Sequence, residues 1–217
     1  MPDSVSTDSR YDRKKAVTRA RIVAAGNSLF SIRGFDAVSM EDISEAADLA
    51  IRTLYLHFDS KAGILLAYFD DWLDAYVAAL CAEPLDQPLA DTVAAALATM
   101  KKDGWEDDRT FGEMSVAHPI VEFIGGGNAQ LAGHLLQSWV RAQNRLAADT
   151  RERGGHPPES LFPLSRAAGL FAGWIATILA FRDAFDGGGL APASSHEVGQ
   201  TIMRDLGEGI DRSLLRD

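Results

Sequence analysis

Five polar side chains within ten residues, Arg52, Thr53, Tyr55, His57 and Lys61, offer a guanidinium, a hydroxyl, a phenol, an imidazole and an ammonium. Such groups hydrogen-bond to phosphates and base edges, which is the chemistry of recognition rather than of bond-making. With Leu54 as the inward pole of a helix, the rotation per residue carries Arg52, Thr53 and Tyr55 to the outer face. A helix with that face suits the major groove of double-stranded DNA. His57 and Lys61, just past it, stand where a cation meets the flanking phosphates.

The stretch Ser39 to Phe58 must position them. Ser39 and Asp42 have the spacing of a capping box, so a helix is expected to start at Met40, with Val38 and Ile43 as a hydrophobic staple. Ile43, Ala46 and Ala47 recur at helical spacing; after a break at Asp48, Leu49, Leu54 and Phe58 form a second apolar set. Two helices this short need a third to pack against. Arg13 to about Ile32 supplies it, with Ile22, Ala25, Leu29 and Phe30 facing inward and Gly34 ending it. Ser60 is expected to cap a longer helix reaching about Cys81, with Ile64, Leu65, Tyr68, Trp72 and Tyr76 along one side. That helix would link the motif to whatever follows.

From Arg21 to Leu65, about a fifth of the chain, the sequence resembles the N-terminal domain of TetR-family transcriptional regulators. The resemblance rests on Ile22, Ala25, Leu29 and Phe30, the Gly34-Phe35 turn, the Ser39 cap, Ile43 with Ala46-Ala47, Thr53-Leu54-Tyr55, His57-Phe58 and Ser60-Lys61. It implies DNA contacts from Thr53, Tyr55, His57 and Lys61, and Ser39, Ile51 and Arg52 complete the expected set. It also implies a homodimer on a palindromic operator and a small-molecule effector bound in the remaining domain, most often to relieve repression. Three positions depart from the family pattern: Asp48 replaces a turn glycine, Ala50 a capping serine, and Ile51 a polar or basic residue. Asp can adopt the left-handed turn, and Ala50 cannot cap. Ile51 either meets a thymine methyl or packs inward.

The 217 residues, 47% hydrophobic and 24% charged, suit one or two ordinary globular domains. The net charge of −10 is unevenly placed. Residues 10–35 hold seven basic side chains against Asp12 alone, whereas residues 64–217 hold 12 basic and 22 acidic ones. An acidic body confines nucleic-acid contact to the N-terminal end. The single cysteine, Cys81, excludes an internal disulfide and a cysteine-rich metal site, and reads as a small buried residue. MPDSVSTDSR has no signal-peptide core, and the longest apolar run, Ala167 to Phe181, is too short to span a membrane. A cytoplasmic protein with no membrane partner is expected.

The expected architecture is all-α: a disordered arm over 1–12, a three-helix helix-turn-helix head over 13–65 with the motif at 39–58, and a larger helical effector-binding and dimerisation domain over 66–217. Within the last, helices are expected at about 89–102, 109–124, 128–153, 161–185 and 194–215, separated by proline or glycine breaks. The segment 161–185 carries Ala168, Gly169, Ala172, Gly173 and Ala176 on neighbouring turns and is apolar over most of its circumference, as a helix central to its own domain would be. With 194–215 it is also the expected dimer surface.

Trp105, Phe111, Met114, His118, Phe123, His134, Trp139 and Trp174 are candidate lining for an effector pocket, although each alone suits ordinary core. No cofactor is expected. No P-loop, H-E-x-x-H, G-x-S-x-G or dinucleotide fingerprint occurs, so an enzyme is not expected; His118 and His134 could share a metal only in principle. The alternative to a regulator is a helical ligand- or protein-binding module with degenerate DNA recognition, which Asp48, Ala50 and Ile51 favour.

Overall fold

In a computed structural model of the chain, the described residues are 5–105, 120, 129–185, 201, 204 and 205; for 5–10, 174, 176–178 and 180–185 the description is of the backbone alone. The main helices are α1 (Val5–Arg33), α2 (Met40–Ala46), α3 (Ile51–Tyr55), α4 (Lys61–Ala82), α5 (Leu89–Lys102), α6 (Ala129–Gly154) and α7 (Phe162–Phe185). No strand occurs among the described residues, and none of their helices is long and apolar enough to cross a membrane. The fold is all-helical, as expected. The segments expected at 109–124 and 194–215 lie outside the described residues, apart from Ile120, Thr201, Arg204 and Asp205. The chain divides into two compact units, and the division falls within α4 after Phe69.

In the first unit α1 packs on α2, and α2 on α3. Ile22, Phe30, Ile43, Leu54 and Ile64 are fully buried, with Val23, Val38, Phe58 and Leu65 close to it, while Ala25 and Leu29 are half-buried. α1 begins eight residues before the expected Arg13, so residues 5–12 are helical rather than a disordered arm. The physical reason is propagation. Once the Ile22–Phe30 segment is held by packing, each added residue costs little, and no glycine or proline lies between Pro2 and Gly26 to stop the helix. At the other end Gly34, at φ +77°, takes the left-handed position, and its N–H donates to Phe30 O at 2.9 Å. Gly26 answers a different need: a Cβ there would stand 2.6 Å from Ile64 Cγ2. α1 can approach α4 that closely only without a side chain at this point.

The second unit packs α6 along α7 and α5 against α7. Its aromatic core joins Trp72 stacked on Tyr76 (ring centroids 5.2 Å apart), Phe171 edge-on to Tyr76 (5.9 Å) and Trp139 edge-on to Phe171 (4.8 Å). The buried Arg166 guanidinium donates to Thr92 Oγ1 at 3.2 Å, Gln87 O at 3.3 Å and Pro84 O at 3.5 Å, so its burial is compensated. Arg153 donates to Glu83 O at 2.8 Å and to Cys81 O, meeting carbonyls that the end of α4 leaves without helical partners. Cys81 is half-buried, and burial, with the Asp149 carboxylate nearby, pushes its thiol up to about 11. It reads as a packing residue whose thiol is held in its neutral form.

Candidate nucleic-acid interface

The helix pair is fixed first by its cap. Asp42 N–H donates to Ser39 Oγ at 3.0 Å, Ser39 N–H donates back to Asp42 Oδ2 at 2.8 Å, and the Ser39 hydroxyl donates to the same oxygen at 2.6 Å. This is the expected capping box, and α2 starts at Met40 as the spacing requires. The Ser39 hydroxyl, its backbone N–H and the Arg33 guanidinium 3.5 Å away hold the Asp42 carboxyl below its ordinary value, against a small opposing desolvation.

The turn comes next. Asp48 is left-handed at φ +50°, the one such non-glycine among the described residues. Ala50 stands at the N-cap of α3 and makes no side-chain bond; Thr53 and Leu54 N–H groups reach its carbonyl at 2.8 and 3.2 Å. Leu54 is fully buried, as the choice of inward pole demands. Arg52 and Tyr55 are exposed, Tyr55 by 48%, while Ile51, Thr53 and His57 are half-buried. The guanidinium and phenol are therefore presented outward on one five-residue helix.

Lys61 is placed differently from Arg52 and Tyr55. Its ammonium donates to Phe35 O at 2.6 Å, Val38 O at 3.0 Å and Asp36 O at 3.4 Å, and lies 4.4 Å from the centre of the Phe35 ring. All three donors of the ammonium face the loop that leads into α2. Ser39 is exposed, with its hydroxyl engaged in the cap.

Three features of this unit escaped sequence reasoning. Arg21 Nη2 donates to Ala47 O at 2.5 Å and Asp48 O at 3.3 Å, and lies 3.7 Å from the Asp48 carboxylate. No short-range pattern signals it, because the partners are 26 and 27 residues away. Gly26 gave no signal without the partner helix. Leu56, 75% exposed, was legible: two steps from the inward pole, about 200° round the helix, it must face outward.

Of the expected pocket residues, Phe111, Met114, His118, Phe123 and the Trp174 side chain lie outside the described residues. Trp139 is core, packed on Phe171. His134 stands half-exposed with Nε2 3.1 Å from Asp70 Oδ2. Trp105 is half-buried in the turn after α5, its N–H donating to Met100 O at 2.9 Å. A cleft of about 290 Å³ in the second unit is lined by Asp70, Leu73, Asp74, Ser138, Arg141, Ala142 and Arg145, none of them from that set. Among the described residues no group of three His, Cys, Asp or Glu side chains could hold a metal ion.

A capped helix, a left-handed turn and a second helix with a polar outer face, braced by α1, define a helix-turn-helix domain of the kind that bacterial regulators carry. Residues 22–68 match the family described as "Bacterial regulatory proteins, tetR family". A curated relative, the "HTH-type transcriptional repressor KstR" of Rhodococcus jostii (strain RHA1), is 37% identical over 65 residues. The match takes in 30% of this chain and spans 28% of the relative's length. Among solved structures, GusR of Salmonella enterica superposes over 88% of this chain and 95% of its own, with a TM-score of 0.55 at 23% identity. The regulator FadR from Bacillus subtilis in complex with stearoyl-CoA superposes over 88% and 98%, with a TM-score of 0.53 at 16% identity. These two share the fold.

Proposed function

We propose that the protein is a DNA-binding transcriptional regulator. It acts as a homodimer on a palindromic operator, and a small-molecule effector bound in the second unit releases it. The observation that carries this is α3, with Leu54 buried beneath an outer face that presents Arg52 and Tyr55. Thr53, His57 and Ile51, half-buried at its margins, complete the DNA-contact set, with Ile51 or Leu56 available to thymine methyls. Ser39 and Lys61 support the set from the α2 side by holding the cap and the loop before it.

The dimer reading draws on α7. Leu164, Ala168, Ala172 and Leu179 are exposed along one side, with Ile175 half-buried between the last two, an apolar stripe that water does not favour. The segment 194–215 would complete the interface. For the effector, the FadR of Bacillus subtilis with its stearoyl-CoA supports a small ligand in the larger domain.

The test is selection of genomic fragments by the purified protein, followed by salt titration of the best fragment against a scrambled one. A palindrome retained near physiological salt establishes a sequence-specific dimeric regulator. Equal, weak binding to both fragments, lost with modest salt, leaves only a cationic surface and returns the alternative of a helical binding module.

A further inference from the structure

We infer that Arg21 is a positioning residue for DNA recognition: it clasps the turn between α2 and α3 and takes over the role that a glycine would fill at position 48. The inference rests on the proposed DNA-binding function. Three observations meet at this point. Asp48 holds φ +50°, a conformation that disfavours a residue with a Cβ and in which glycine is at ease. Arg21, from the middle of α1, sends one guanidinium nitrogen to the carbonyls of Ala47 and Asp48, the two residues that make the turn. Ala50 gives α3 no side-chain cap, so the helix that carries Arg52 and Tyr55 is tied at its start by the turn backbone alone.

The clasp fits the local electrostatics. Ala47 closes α2, whose last carbonyls carry the negative end of the helix dipole and lack helical partners. A guanidinium nitrogen there makes charge-assisted bonds to both carbonyls. The carboxylate contact, at 3.7 Å and with the Asp48 side chain fully exposed, adds little; the carbonyl bonds are the substance. Leu54 and Phe58 anchor the inner side of α3, and the clasp sets the end from which its direction is decided.

Arg21 also lies in the most basic stretch of the chain, so contact with a phosphate is the competing role. The two roles differ in salt dependence and in coupling. For a clasp, Arg21→Ala weakens operator binding by about ten-fold, while the slope of log affinity against log salt stays as in the wild type. Asp48→Gly in the Arg21→Ala background recovers most of the loss, because the turn no longer needs holding. For a phosphate contact, Arg21→Ala lowers the slope by about one, and Asp48→Gly recovers nothing. That result overturns the inference, as does an Arg21→Ala variant that loses thermal stability yet binds operator unchanged. Hydrogen exchange of the α3 amides gives a readout without DNA: Arg21→Ala speeds it and Asp48→Gly restores it. Should wild-type protein select no operator, the proposed function falls, and the exchange result alone decides the clasp.

Discussion

Single atoms decide what the first unit tolerates. The missing Cβ at Gly26 is one: adding it by Gly26→Ala brings a methyl within 2.6 Å of Ile64 Cγ2, a branch that cannot swing away without moving its helix. Alanine gains up to about 1 kcal/mol of helix propensity, but overpacking a tight core costs about 1–3 kcal/mol, so the variant is expected to be less stable by about 1–2 kcal/mol. Urea unfolding checks it, and an unchanged or raised midpoint would mean that α1 and α4 part freely. The phenol of Tyr55 is the opposite case. It is exposed by 48% and stands on the outer face of α3, so Tyr55→Ala is expected to abolish operator binding while fold and oligomer survive. Gel shift and sedimentation, run on the same preparation, separate those two effects; normal binding would remove Tyr55 from the interface.

At the scale of the element, the α2 cap links sequence to pH. Asp42 has its carboxyl lowered chiefly by the Ser39 hydroxyl, so the folded state favours its ionised form. A group with a lowered folded pKa contributes stability above its unfolded value, here the ordinary 3.8, and loses it as pH falls toward the folded one. Ser39→Ala removes the largest cause. Its stability deficit relative to wild type is therefore expected to be full at neutral pH and to narrow as pH drops below about 4, as thermal melts across the range would reveal. A deficit that stays constant with pH would uncouple the hydroxyl from Asp42. The same element shows what was legible. The box, the start at Met40, the buried Leu54 and the limits of α5 follow from spacing because they involve neighbours in sequence. Lys61 is expected at the phosphates, yet its charge goes to carbonyls more than 20 residues away, as does that of Arg21, and no local pattern encodes such pairings. The early start of α1 follows from the absence of a helix breaker, which polar composition does not signal.

For the whole molecule the proposed function turns on how many copies of α3 reach the DNA. A five-residue recognition helix offers few contacts, and a palindrome gains specificity by presenting two of them at a fixed spacing. The exposed stripe of α7 is where that duplication would be built, because Ala168 and Ala172 let a partner helix approach closely between Leu164 and Leu179. Both alanines are exposed in the protomer, so a larger charged side chain there costs the isolated fold little. Ala172→Arg sets two like charges against each other across a two-fold axis, and is expected to shift the protein from dimer to monomer at micromolar concentration. Each α3 would then bind its half-site alone. Joining two half-sites on one dimer makes the second contact intramolecular, and losing that is expected to weaken operator binding by about 100-fold or more while circular dichroism stays unchanged. Sedimentation velocity and operator titration check the pair of effects together. A variant that remains dimeric moves the interface off this face of α7. One that turns monomeric and still binds the full operator as tightly would mean that a single α3 suffices, and the palindrome would then have no structural cause in this chain.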